Sequence, residues 1–376
     1  MADVTIACDL GSLLSKVFFT LKSFSPELLI MESEVALVTQ KSLEEYEDGV
    51  KLGSLAPENS AWVEYKGQYR AVGFLAKERF HANLSLQVPK IELALYKILA
   101  IVAALAQKKG LQNGASISLG ILLPYGEYQH SKLLREMICE AITNYRFRGQ
   151  EKSFELERLD CRPEGFGLIS RGRTSGASLK EQVIVVIVVG YRDASIYIWN
   201  RGAISKGAST ELGFNKLIEK IAPYAPNQKA IELAQAICRA GAKVNVKALR
   251  HLSRFSDPAL RDKEISHLRS AIEIAREQYW LELSNWLRDY IPSHIDEVIV
   301  TGGTAYYYER EFNALFSSTH VNWGADLEEQ VNKCFPVQIE EYGLSFRTTD
   351  NNGYFYFMCG TNENNLKRTT TNVRAS

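Results

Sequence analysis

Seven consecutive β-branched residues, Val183-Ile184-Val185-Val186-Ile187-Val188-Val189, constrain this chain more than any other segment. Such side chains crowd a helix and suit a pleated strand. A strand with no polar alternation must be covered on both faces, which places it at the centre of an α/β sheet. The run ends in Gly190-Tyr191-Arg192-Asp193, and Ala194–Trp199 reads as the returning strand. The start of the chain has the same layout. Val4–Ala7 is an apolar run, Asp9-Leu10-Gly11-Ser12 follows, and a second strand is predicted over Lys16–Phe24. Strand, glycine-bearing turn and strand therefore occur twice, and the chain reads as two similar α/β halves.

Other elements follow from periodicity and turn chemistry. Leu28–Leu37 reads as one strand. Trp62–Tyr65 and Tyr69–Val72 flank Lys66-Gly67-Gln68, a tight hairpin. Ile91, Leu95, Ile98, Leu99, Val102 and Leu105 recur at helical spacing, so a helix is predicted over Lys90–Lys109. Ala115–Leu123 is a strand stopped by Pro124, Ser131–Tyr145 a helix, and Phe154–Cys161 a strand. Arg162-Pro163-Glu164-Gly165-Phe166-Gly167 reads as a loop entering a helix, and 170–180 as a flexible connection. In the second half, helices are predicted over Leu212–Ala222, Gln228–Arg239 and about 265–290, and a short strand over Val298–Val300. The residues from 361 to 376 are polar and aperiodic and read as a disordered tail.

Composition narrows the function classes. At 376 residues there is room for two domains. Forty-four basic residues balance 44 acidic ones, which argues against a wide nucleic-acid footprint; no direct nucleic-acid binding is expected. The apolar runs are too short to span a bilayer, and Met-Ala-Asp-Val lacks the features of a signal peptide. No membrane association and a cytoplasmic location are expected. The six cysteines lack a CxxC pair and read as mostly buried free thiols, and the six isolated histidines argue against zinc.

The turn at 9–16 carries chemistry. Glycine lets backbone N–H groups approach an anion closely, Lys16 adds an ammonium, and Asp9 adds a carboxylate for a cation. Those are parts for holding nucleotide phosphates and magnesium. Together with the rest of the chain they resemble the actin, sugar-kinase and heat-shock-chaperone ATPase superfamily. Asp9-Leu10-Gly11-Ser12 with Lys16 resembles its first phosphate motif, and Val189-Gly190-Tyr191-Arg192-Asp193 stands where the second belongs. Thr301-Gly302-Gly303-Thr304, after Val298-Ile299-Val300, resembles the adenosine motif. Pro163-Glu164-Gly165 falls at the first connection between domains. Asp350-Asn351-Asn352-Gly353-Tyr354 resembles the helix that returns to the first domain in ParM-type proteins. ParM-like plasmid-segregation actins are the nearest resemblance, including Ala61-Trp62-Val63-Glu64-Tyr65.

The resemblance implies an actin-like, ribonuclease H-like α/β fold of two domains with a nucleotide cleft between them. Domain I would take 1–165 plus a returning helix at about 340–360, and domain II 166–339. ATP or GTP with Mg2+ is the implied cofactor. Gly11, Ser12, Gly190, Tyr191, Gly302, Gly303 and Thr304 would contact nucleotide, and Lys16 would neutralise phosphate charge. Asp9 would hold magnesium through water, and Glu164 would align the attacking water. Glu211 and Lys216, beside a turn at 207–213, are placed against ribose or base. The sequence departs from the family at Val188, where an aspartate is usual, leaving Asp193 as the nearby carboxylate.

A filament-forming ATPase is the leading function, with copies of itself and a DNA-binding adaptor as partners. A nonpolymerising or slowly hydrolysing adaptor is the alternative. A small-molecule kinase would need Asp193 as its catalytic base. A chaperone would need a substrate domain where only a short tail follows.

Overall fold

The computed structural model describes residues 2–22, 25–49, 55–84, 86, 88–171, 179 and 181–360. The polar tail and most of the 170–180 connection lie outside the described residues. The chain forms two compact units. One comprises the residues up to Arg173 and from Asp326 onward; the other is Thr174–Ala325.

The first unit is built on strands β1 (Val4–Leu10), β2 (Leu14–Leu21), β3 (Glu27–Glu32), β4 (Val35–Val38), β5 (Trp62–Tyr65), β6 (Gln68–Val72), β7 (Ser116–Leu123), β8 (Tyr145–Phe147), β9 (Gln150–Lys152) and β10 (Glu155–Pro163). Its main sheet has the order β10-β7-β1-β2-β3. β1 pairs antiparallel with β2 and parallel with β7. The helix Lys90–Lys109 is buried nearly all round from Ala94 to Ala106, because it packs with both the main sheet and the smaller sheet β4-β6-β5-β8-β9. The opposite face of the main sheet carries the helix Thr349–Met358. The alternation of β2 serves both layers: Val17 and Phe19 join the core containing the 90–109 helix, while Phe18 meets Phe335 and Phe355.

The second unit contains β11 (Val183–Val189), β12 (Ala194–Asn200), β13 (Ala203–Thr210), β14 (Glu297–Thr301) and β15 (Val321–Asn322). Its sheet has the order β13-β12-β11-β14-β15, with β11 central as its composition requires. β11 pairs antiparallel with β12 and parallel with β14. Strand order and directions thus repeat those of the first main sheet.

Several elements differ from the sequence reading. The apolar stretch Leu28–Leu37 is two strands in two sheets, β3 and β4, parted at Ser33 and Glu34. The helix predicted through Tyr145 ends at Ala141, and Tyr145–Lys152 forms a hairpin instead, turned at Arg148-Gly149 with φ of 50° and 73°. Gly207 lies within β13 opposite Tyr197 rather than in a turn. The long helix starts earlier, at Pro258, where the Asp257 carboxylate accepts from the Leu260 N–H. Of the cysteines, only Cys8 and Cys161 are buried, while Cys139, Cys238 and Cys334 are exposed. Cys139 and Cys238 sit beside buried Ile138 and Ile237, but one helical step turns each to solvent. Among the described residues no helix is long and apolar enough to cross a membrane.

Candidate functional site

In the first unit, the pairing of β1 with β2 sets Asp9 opposite Lys16 and Leu10 opposite Ser15, leaving 11–14 as the tip. Asp9 and Lys16 form an ion pair, both less than a tenth exposed. The Lys16 ammonium also donates to the Arg347 carbonyl at 3.0 Å. The tip is tight at Gly11, where an added Cβ would stand 2.6 Å from the Leu14 carbonyl oxygen. The Gly11 carbonyl accepts from the Ser33 hydroxyl at 2.7 Å, and Ser33 in turn accepts from the buried Lys97 ammonium at 2.6 Å. Ser12 is half-buried at the same tip. Beneath it, the Asn351 amide donates to the Ala7 and Lys16 carbonyls, tying the 349–358 helix to both strands.

In the second unit, Val188 stands opposite Ser195 and Val189 opposite Ala194, leaving 190–193 as a tip of equal length. By this register Val188 takes the place of Asp9, and Ser195 that of Lys16. Val188 is 6% exposed, and the Ser195 hydroxyl bonds that of Ser209 at 2.7 Å. Asp193 is held by Arg192 at 2.7 and 2.9 Å. The Gly190 carbonyl accepts from the Phe214 N–H and from the Thr304 hydroxyl, at 3.1 and 2.6 Å. Tyr191 is half-buried, which pushes its phenol up. Gly302 has φ +100°, and a Cβ there would lie 2.3 Å from the Val189 carbonyl oxygen, so this position demands glycine. Gly303 opens the short helix Gly303–Tyr307. Within this unit the structure therefore brings together Gly190, Tyr191, Gly302, Gly303 and Thr304. Glu211 is exposed, and Lys216 is exposed enough to pair with Glu219 at 3.0 Å.

Glu164 lies one residue beyond β10, its N–H donating to the Leu123 carbonyl at the end of β7. Its carboxylate meets the Lys90 ammonium at 2.8 Å, with both side chains about a tenth exposed. Lys90 is the first residue of the 90–109 helix. The Glu127 carboxylate accepts from the N–H groups of Lys90 and Ile91 at 3.0 and 2.7 Å, filling the place of an N-cap. Asp350 accepts from the N–H groups of Gly165 and Gly167 at 2.6 and 2.8 Å. Burial raises the Asp350 carboxyl to about 7, with the charges of Asp9 and Glu164 adding to it and the two N–H bonds opposing. The helices crossing here are in backbone contact: a Cβ on Gly353 would stand 2.4 Å from the Gly167 oxygen.

Sequence reading missed Lys90, Glu127, Ser33 and Lys97. One signal for Lys90 was present. A lysine in the first turn of a helix opposes the macrodipole, so a carboxylate partner is to be sought for it.

Among the described residues no three His, Cys, Asp or Glu side chains gather as a ligand set. Magnesium commonly keeps several waters and uses one or two carboxylates with phosphate oxygens. A single carboxylate, Asp9, at the end of a strand and beside a glycine tip fits that mode.

The duplicated sheet order and paired glycine hairpins define an actin-like fold, and comparison with solved structures agrees. The ParM protein of a 15-stranded filament from Clostridium botulinum aligns with a TM-score of 0.58 at 14% identity, covering 96% of this chain and all of that one. Actin-like protein Alp7A gives 0.60 at 13% identity, with 99% of each chain covered. An archaeal actin homologue gives 0.54 at 16% identity, with 95% and 100% covered. Residues 7–167 match the N-terminal domain of actin-like proteins. The chain as a whole has the actin-like fold. No curated protein matches the sequence.

Proposed function

We propose that this chain binds ATP or GTP with Mg2+, assembles with copies of itself into filaments, and hydrolyses nucleotide to control filament turnover. A role in DNA segregation through a DNA-binding adaptor is part of the same reading. The observation that carries it is the repeated hairpin tip, with a glycine at the same register position in each unit and the Asp9–Lys16 pair at one of them. The N–H groups around Gly11, Ser12, Gly190 and Tyr191 serve the phosphates, and Lys16 neutralises their charge. Asp9 orients magnesium-bound water; the ion, when bound, supplies charge neutralisation across the phosphates. Gly302, Gly303 and Thr304 receive the adenosine side, with Glu211 and Lys216 toward ribose or base. Glu164 aligns the attacking water, because phosphoryl transfer is mainly positioning and electrostatics. The solved ParM filament, similar in fold, supports self-assembly as the outcome.

Calorimetry with MgATP and pelleting with ATP, ADP or a nonhydrolysable analogue test the reading. Asp9→Ala, in a folded protein, is expected to weaken MgATP binding at least about tenfold, as loss of a charge-assisted contact should. Normal affinity in that variant, or no sedimentable polymer with any nucleotide, defeats it.

One observation favours a second reading, a slow assembly switch. Val188 puts a hydrophobe at the second-unit position that corresponds to Asp9. If a missing acceptor limits hydrolysis, Val188→Asp speeds phosphate release, by up to about 3 kcal/mol of barrier for a well-placed group. A folded Val188→Asp protein with unchanged release shows that hydrolysis does not wait on this position.

A further inference from the structure

We propose that Lys90 is the positioning residue for Glu164: its ammonium holds the carboxylate where it can align the attacking water. The inference rests on the reading of Glu164 given above. In that step the water oxygen bonds to the γ-phosphorus, and the bond from this phosphorus to the β–γ bridging oxygen breaks. ADP leaves with the electron pair. One water proton stays on the phosphate, and the other passes through the Glu164 carboxylate to solvent.

Three observations carry it. The 2.8 Å contact is made by side chains only 9% and 11% exposed, so neither end is free to wander as at a surface pair. The base of Lys90 is itself fixed, since Glu127 takes the N–H groups of residues 90 and 91. Glu127 follows β7, and Glu164 is bonded to the last residue of β7, so lysine and carboxylate are referred to one strand end. Finally, the N–H groups of Gly165 and Gly167, just beyond Glu164, are taken by Asp350, so Lys90 is the cation that holds the Glu164 carboxylate. Without Lys90, Glu164 lacks this cation. It then swings away or binds a proton, and either result removes the acceptor for water.

The test uses the full-length protein, with phosphate release measured across ATP concentrations. Binding of MgATP analogue is measured separately by calorimetry. Lys90→Met is expected to lower kcat roughly 10- to 100-fold, the loss typical of a misplaced catalytic group. KM and analogue affinity should stay within about threefold, and Lys90→Arg should restore most of kcat. Lys90→Met combined with Glu164→Gln should be no slower than Glu164→Gln alone, because both changes remove one function. If Lys90→Met does not fold, Lys90→Gln is read in its place. Unchanged kcat, multiplicative losses in the double variant, or a fall in analogue affinity equal to the fall in kcat overturns the proposal; the last result makes Lys90 a phosphate ligand. Wild-type release by Glu164→Gln instead defeats the reading of Glu164 beneath it, an outcome visible before Lys90 is touched.

Discussion

The two hairpin tips share a backbone plan and differ in what fills it. In both, a central strand turns through four residues, 11–14 or 190–193, into an antiparallel partner, and a parallel strand flanks the other side. In the first unit the second cross-strand pair below the tip is Asp9 with Lys16, a buried ion pair. In the second, Val188 and Ser195 occupy those positions, and the carboxylate has moved into the turn as Asp193, held by its neighbour Arg192. A repeated strand frame thus fixes where chemistry can be placed, not which chemistry is placed there. The glycines differ too. A Cβ on Gly11 would press on backbone at 2.6 Å, whereas on Gly190 it would meet ordinary contacts at 3.6 Å or more.

Making the first tip apolar like the second should have the largest effect. Asp9→Leu leaves the Lys16 ammonium buried against a single carbonyl, and should lower stability by about 3–5 kcal/mol. Adding Lys16→Leu should return most of that loss, because a well-packed apolar pair often replaces a buried ion pair at little cost. Urea denaturation reads both. A single variant within 1 kcal/mol of wild type, about one-tenth of a typical folding stability, would show that charge does not distinguish the tips.

A pH series should separate the units next. The Asp350 carboxyl of the first unit is raised from its usual value to about 7 by burial, so the folded state holds its proton more tightly than the unfolded chain does. The stability of this unit is therefore greatest below about pH 4 with respect to this group, and falls as pH rises from there through 7. The drop is on the order of 4 kcal/mol, at about 1.4 kcal/mol per unit over a displacement of roughly three units. Site-resolved hydrogen exchange should find this slope on β1, β2 and the 349–358 helix and not on β11 and β12. Asp350→Asn should flatten it; a slope that persists in that variant has another origin.

The smallest difference lies at the glycines. Gly11→Ala should destabilise by roughly 1–3 kcal/mol, since backbone must shift to admit the methyl group. Gly190→Ala should stay within about 1 kcal/mol, with lost unfolded-state freedom offsetting any strain. Equal melting-temperature losses for the two would remove the proposed difference in tip packing.

Some of this was legible from local pattern. Lys90–Lys109 was read to the residue, because apolar spacing defines its body and Gly110, left-handed at φ +70°, ends it. Val183–Val189 was likewise read to the residue, since seven β-branched side chains admit few alternatives. The 65–68 hairpin follows from Lys66-Gly67, both at positive φ. The split of β3 from β4 was not legible. Its break at Ser33 is set by bonds to Gly11 and Lys97, which are 22 and 64 residues away. Edge strand β13 was missed because it is largely exposed and polar, so its apolar signal is faint. At the candidate site, the glycines and the Asp9–Lys16 turn stood out, while the partner of Glu164 did not.

By itself, then, the sequence determined the duplication, the buried central strand of the second unit, and the tips where glycine and charge concentrate. These depend on periodicity and on which residues tolerate a turn, and near neighbours suffice for both. Tertiary structure alone decided the company each charge keeps. Lys90 reaches Glu164 across 74 residues, and Asp350 reaches Gly165 across 185. Such pairs need every intervening strand in register, because hydrogen bonds and buried ion pairs are lost over displacements of an ångström or so. A pattern of residues can announce that a carboxylate is present at a connection; only the packed fold says what holds it there.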